Sequence, residues 1–150
     1  MHLADFYSPD TISLDLQGRG KDEILAELVG LLHLDEGSSD TLLRNLQRRE
    51  TLGSTGVGRG IAIPHCRSLV VNRVRLAYGH HKQGLEYQAI DNRPVFDFFL
   101  IVAPPLEVSN QYLPILGKIA QFAKDADIPE RLARLQTPDD FLRLLGEKGV

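Results

Sequence analysis

The chain has 150 residues, 43% of them hydrophobic, which is enough for one substantial core and too little for two comfortable domains, so residues 1–150 are expected to form a single domain. Seventeen basic and 20 acidic residues give a formal net charge of -3, which supplies no positive field for nucleic acid or an anionic membrane and points to proteins or small molecules as partners. The single cysteine, Cys66, excludes an intrachain disulfide framework, no apolar run is long enough to span a membrane, and the first residues do not form a signal peptide; a cytoplasmic protein is expected.

In chain order, Thr11-Ile12-Ser13-Leu14-Asp15-Leu16 alternates polar and apolar residues, as a strand with one buried face does. Ile24, Leu25, Leu28, Val29, Leu31 and Leu32 fall on one face of a helix. A turn over Asp35 to Ser38 leads to Ser39, the expected N-cap of a second helix that carries Leu42, Leu43 and Leu46 and ends near Arg49-Glu50. Ile61-Ala62-Ile63 predicts a short strand, and Pro64 keeps Ile63 extended, so that His65 lies just beyond it. Val74, Leu76 and Tyr78 alternate, and Val95 to Ala103 is apolar throughout except for Asp97, the pattern of a strand covered on both faces. Leu113, Leu116, Ile119, Ala120 and Ala123 mark a third helix, with Pro114 in its first turn. Ile128-Pro129 opens a short helix, and Thr137-Pro138-Asp139-Asp140 supplies the N-cap, N1 proline and acidic first turn of the last. A mixed α/β domain with helices on both faces of a sheet follows.

Chemistry concentrates between Arg49 and Arg67. Four glycines fall between Gly53 and Gly60, and loops of this kind can gather N–H donors around an anion. The GxxxxG spacing invites comparison with a P-loop, but Arg59 and Gly60 stand where the lysine and the hydroxyl belong, and a strand follows instead of a helix. A glycine-rich turn without a ligand is the plain alternative. His65 changes the balance, because a neutral imidazole is a competent nucleophile near neutral pH. Arg49, Arg67 and the backbone and hydroxyls of Ser54 and Thr55 are candidate donors to transferred oxygens.

Arg49-Glu50, Gly53-Ser54-Thr55-Gly56-Val57-Gly58 and Gly60-Ile61-Ala62-Ile63-Pro64-His65 together resemble the phosphorylation-site signature of the fructose/mannitol-type enzyme IIA domains of the bacterial phosphoenolpyruvate-dependent sugar phosphotransferase system. The resemblance implies a three-layer α/β/α sandwich with a mixed central sheet. It implies His65 as phosphoryl acceptor, Arg49 beside it, and Ser54, Thr55 and Gly56 at the phosphate. The donor it implies is the phosphocarrier protein HPr or a paralogue, and the product is a phosphoryl carrier, not a stand-alone catalyst. Ala89-Ile90-Asp91-Asn92-Arg93-Pro94-Val95 is most similar to the nitrogen-regulatory branch, whose members act by binding regulatory target proteins. Two other readings stay open: a sugar-transport enzyme IIA that passes phosphate to a IIB component, and a non-phosphorylated binding domain of the same fold. Where family members often carry a second active-site histidine this chain has Tyr112, which can donate a hydrogen bond to phosphate but offers no imidazolium.

The remaining candidates have ordinary explanations. Cys66 is expected to be a small packed residue, and His80 and His81 to face opposite sides of a strand. His2 and His33 are expected at the surface, His33 beside a helix C-terminus. Asp91 and Asp97 have no evident partner, and Arg48, Arg59 and Arg67 are expected on solvated faces. No metal or cofactor is implied.

Overall fold

The computed structural model describes residues 1–150. Six strands form one mixed sheet: β1 (Ile12–Ser13), β2 (Gly56–Gly58), β3 (Ile61–Ala62), β4 (His65–Arg67), β5 (Arg75–Leu85) and β6 (Val95–Ala103). The order is β1-β5-β6-β3-β2, with β4 also paired to β6. Strand β6 is the axis. It runs antiparallel to β5, while β3 and β4 lie parallel to it one after the other, interrupted by Ile63-Pro64, with Ile61 opposite Asp97 and His65 opposite Ile101.

Both faces of β6 are buried, as its near-continuous apolar run requires. Phe98, Leu100 and Val102 pack into one core with α1 (Lys21–Gly30) and α2 (Glu36–Thr51). Phe99, Ile101 and Ala103 pack into the other with α3 (Tyr112–Lys124), α4 (Ile128–Ala133) and α5 (Pro138–Glu147). This is the expected α/β/α sandwich with a mixed sheet. In the second core, Phe141 of α5 stacks on Tyr78 of β5 with ring centroids 4.2 Å apart and meets Tyr7 edge-on at 5.1 Å.

Two local expectations are corrected. Helix α2 starts four residues before Ser39 can cap it, because the Asp35 carboxylate accepts the Ser38 N–H at 2.8 Å and holds the first turn. The first strand keeps only Ile12–Ser13, since Pro9–Thr11 forms a 3₁₀ turn and beyond Ser13 a lone Leu16 N–H to His80 carbonyl bond continues the pairing. His65 lies just beyond β3, as expected, and itself begins a further strand, β4. Helices α3 and α5 match their predicted starts, and Thr137 and Asp140 close a reciprocal capping box on α5.

Candidate functional site

The glycine segment is a hairpin. Strands β2 and β3 are joined through Arg59 and Gly60, whose φ values of +59° and +79° are those a type I′ turn requires at both central positions. At Gly56 the need for glycine is different, for a Cβ there would lie 2.7 Å from the Ala89 Cβ and 2.8 Å from its Cα. Two of the glycines therefore serve a turn and a close backbone approach.

The donors expected to face an anion are mostly engaged within the chain. The Thr55 N–H lies 3.2 Å from Glu50 Oε2, the Thr55 hydroxyl donates to Glu50 Oε1, and the Tyr87 hydroxyl reaches the same oxygen at 3.0 Å. Lys21 Nζ completes the cluster at 2.9 Å from Glu50 Oε2 and 4.4 Å above the Tyr87 ring. Ser54 donates its hydroxyl to the Tyr87 carbonyl at 3.0 Å and accepts the Gly56 N–H at 3.1 Å. The Glu50 side chain is only 5% exposed, so this carboxylate is a structural hub that sequence reasoning passed over in favour of its neighbour Arg49. Its partners lie up to 37 residues away, and nothing in local spacing marks them.

From this hub the order extends to His65. The Thr55 carbonyl accepts the Ile63 N–H at 2.9 Å, and the Ile63 carbonyl lies 2.6 Å from His65 Nδ1. A carbonyl oxygen can only accept, so Nδ1 carries the ring proton and Nε2 keeps its lone pair. The half-buried imidazole makes no other hydrogen bond, leaving Nε2 free to attack an electrophile.

Alternation along β4 places His65 and Arg67 on one face and Cys66 on the other, where it packs against the α1–α2 core. Burial pushes the Cys66 thiol up to about 12. Arg67 lies over the Tyr112 ring at 4.6 Å and donates to the Pro104 carbonyl at 2.9 Å, so it is not an idle surface residue. Burial raises the Tyr112 phenol, Cys66 adds to this, and the charges of Arg67 and Arg49 oppose it; Arg49 from α2 and Tyr112 from α3 thus converge on the end of the sheet that holds β4. Arg49 itself donates to the Gly53 carbonyl at 2.9 Å and makes no hydrogen bond or salt bridge to a side chain of the site. The Tyr112 hydroxyl has no partner in the chain and is not sealed from solvent.

The α3 N-terminus is fixed by Glu107, which accepts the N–H groups of Gln111 at 2.7 Å and Tyr112 at 3.1 Å. Slight burial works against the ionised form of Glu107, but the Ser109 hydroxyl and these two N–H groups outweigh it and hold the carboxyl below its ordinary value. Leu52, Leu69, Leu106, Val108 and Leu113 are exposed on the segments flanking His65, Arg49 and Tyr112.

Several side chains read as unpartnered in the sequence have partners. Asp97 accepts the Tyr78 hydroxyl at 2.6 Å and His80 Nδ1–H at 2.7 Å. Asp91 accepts the backbone N–H groups of Arg59 and Arg93, at 3.0 and 3.1 Å. Arg59 reaches the carbonyls of Ala123 and Asp125 at 2.6 and 2.9 Å, tying the hairpin turn to the end of α3. His33 is exposed just past α1 as expected, its backbone N–H on the Gly30 carbonyl at 3.2 Å, and its ring Nε2 lies 3.2 Å from the Asp10 carbonyl. No group of His, Cys, Asp and Glu side chains could hold a metal ion, and no helix is long and apolar enough to cross a membrane.

Residues 5–148 match the family described as phosphoenolpyruvate-dependent sugar phosphotransferase system, EIIA 2. The nitrogen regulatory protein of Pseudomonas aeruginosa is 30% identical over 147 residues, covering 97% of this chain and 95% of that protein. The crystal structure of nitrogen regulatory protein IIA-Ntr from Neisseria meningitidis superposes with a TM-score of 0.87 at 28% identity, over 95% of this chain and 98% of that one. The enzyme IIAMtl in the complex with phosphorylated enzyme IIBMtl from Escherichia coli shares the fold, with a TM-score of 0.76 at 19% identity, over 94% and 97% of the two chains.

Proposed function

This chain belongs to the EIIA 2 family of the phosphoenolpyruvate-dependent sugar phosphotransferase system, and from that premise we propose that it is a phosphoryl carrier with regulatory output that accepts a phosphoryl group on His65 Nε2 from an HPr-type protein. The observation that carries the reading is the 2.6 Å contact of His65 Nδ1 with the Ile63 carbonyl, which fixes the tautomer and leaves the nucleophilic nitrogen without a hydrogen-bond partner.

In the transfer, the Nε2 lone pair attacks phosphorus of the donor phosphohistidine. The new N–P bond forms as the donor's N–P bond breaks, and that electron pair returns to the donor ring. The proton stays on Nδ1, which keeps donating it to the Ile63 carbonyl, so the positive charge that develops on the ring is stabilised by a fixed dipole. Arg67 and Arg49 supply positive charge to the incoming oxygens, and the free Tyr112 hydroxyl supplies a donor. The hydrogen bonds from Ser54, Thr55 and Gly56 shape the strand behind the histidine, and their contact with phosphate requires rearrangement of the Glu50 cluster.

The output side rests on the nitrogen regulatory relatives, which match nearly the whole chain. Residues 1–150 act as a single cytoplasmic EIIA domain, and the phosphoryl group adds up to two negative charges where a regulatory target protein docks. The exposed leucines around His65 give a modest apolar surface for transient docking, first of the donor and then of the target. A IIB component is the second reading, favoured by the complex that the Escherichia coli neighbour forms.

Incubation with phosphoenolpyruvate, enzyme I and HPr, followed by intact-mass measurement of wild type and His65→Ala, tests the reading. An acid-labile phosphoryl group on wild type alone is expected. No labelling by phosphorylated HPr or its paralogues would leave a binding domain of the same fold.

A further inference from the structure

At the opposite end of β6 from His65, a cavity of about 870 Å³ opens between the β2–β3 turn, the first residues of β6 and α4. Asp97 pairs with Ile61 there, while Ile101 pairs with His65, a separation of about 13 Å along the strand at the usual rise. The size suits a small organic ligand.

Leu14, Phe96, Pro129 and Leu135 give the cavity apolar walls, and His80 stands among them. His80 is only 8% exposed. Its Nδ1 is bound to Asp97, whose carboxylate also takes the Tyr78 hydroxyl and, when ionised, can only accept, so the proton between ring and acid sits on Nδ1. His80 Nε2 has no partner in the protein and is not sealed from the cavity. With Asp97 behind it to balance an imidazolium, the ring can present Nε2–H to an anion.

The rim adds charge. The Arg93 guanidinium makes no hydrogen bond, and Lys82 has only a loose contact to the exposed Asp15, at 3.8 Å. Asp91 stands nearby, but it is exposed and accepts the Arg59 and Arg93 backbone N–H groups. Arg59 is committed to carbonyls at the end of α3.

We propose that this cavity binds a small organic acid, its carboxylate on His80 Nε2 with Arg93 and Lys82 closing over it, and its ring or short aliphatic body against Phe96, Leu14 and Leu135. Apolar walls, a buried His80–Asp97 pair that turns its imidazole to the ligand and a cationic rim select such a ligand over a bare inorganic anion, which gains nothing from the walls.

The test is amide NMR titration of the full chain with benzoate and phenylacetate, with benzyl alcohol and inorganic phosphate as controls. Either acid is expected to give saturable shifts at Gly60, His80, Phe96 and Asp97 with a Kd of about 1 mM or tighter. Both controls are expected to bind about tenfold more weakly. The double variant Lys82→Ala/Arg93→Ala removes only exposed side chains and should weaken the acids by about tenfold. Ala133→Trp, at the exposed rim, should block them. The proposal falls if neither acid gives saturable shifts, if benzyl alcohol binds as tightly as benzoate, or if the shifts persist undiminished in both variants.

Discussion

His65 Nδ1 sits 2.6 Å from the carbonyl of Ile63, two residues earlier in the same chain. The contact decides which nitrogen is nucleophilic before any partner arrives. The phosphoryl group is therefore expected on Nε2, and nitrogen-15 and phosphorus-31 NMR of the phosphorylated protein would read the linkage directly. A phosphoryl group on Nδ1 would require the ring to leave Ile63 and would overturn the assignment.

The Ile63 carbonyl is itself placed by a chain of bonds that ends on a buried acid. Glu50→Ala leaves Lys21, Thr55 and Tyr87 without their common acceptor, and loss of one member of a buried charged cluster costs about 3 kcal/mol. Urea unfolding should show this loss. Phosphorylation of the folded fraction should also slow, and an unchanged rate would separate the Glu50 cluster from the placing of His65.

Tyr112 occupies the first turn of α3 with its hydroxyl free and Arg67 on its ring. Tyr112→His introduces a group that can exchange a proton near neutral pH, and phosphoryl exchange with the HPr-type donor is expected to accelerate by about tenfold or more. Rapid-quench measurement in both directions is the check, and unchanged rates would remove Tyr112 from the transfer step.

The Tyr7 hydroxyl is buried with no hydrogen-bond partner, while its ring packs edge-on to Phe141. Tyr7→Phe keeps the ring contact and removes a desolvated polar atom. Stability is expected to stay level or rise by up to about 1 kcal/mol, read from the denaturant midpoint. A clear loss would mean that the hydroxyl finds a partner in solution.

Asp35 caps α2 through the Ser38 N–H, and that bond, with the Ser38 hydroxyl, holds its carboxyl below the ordinary value. A lowered folded pKa means that the stabilisation is complete above the unfolded value of about 3.9 and is lost as pH falls through the folded one. Asp35→Ala should melt at a lower temperature than wild type at neutral pH, with the difference closing in acid. A gap that persists well below that range would indicate a different role for Asp35.

What the sequence made legible followed from local patterning. Val95 to Ala103 matched its strand to the residue because a doubly covered strand leaves nine residues little freedom in composition, and Thr137-Pro138 marked α5 by cap chemistry alone. His65 stood out through its place after the glycine segment. The Glu50 cluster, the Asp97–His80–Tyr78 group and the Arg59 tie to α3 did not stand out, since each joins residues brought together only by the folded sheet. The glycines were read for their capacity to gather N–H donors, and the fold gives two of them a further reason. Gly60 answers to a turn and Gly56 to the close approach of Ala89.

Cys66 stands beside His65, the proposed phosphoryl acceptor, yet it faces the opposite core and its thiol is pushed up to about 12. Thiolate, the form that attacks phosphorus or an alkylating reagent, is therefore scarce near neutral pH. Migration of the group from nitrogen to the adjacent sulfur is closed off by direction and by protonation alike. On the proposed function, the lifetime of the phosphorylated state then depends on water and on the docked acceptor, and an oxidising or alkylating environment has little purchase on it. Iodoacetamide should modify the native protein far more slowly than the urea-unfolded chain, and equal rates would show that this thiol is open after all.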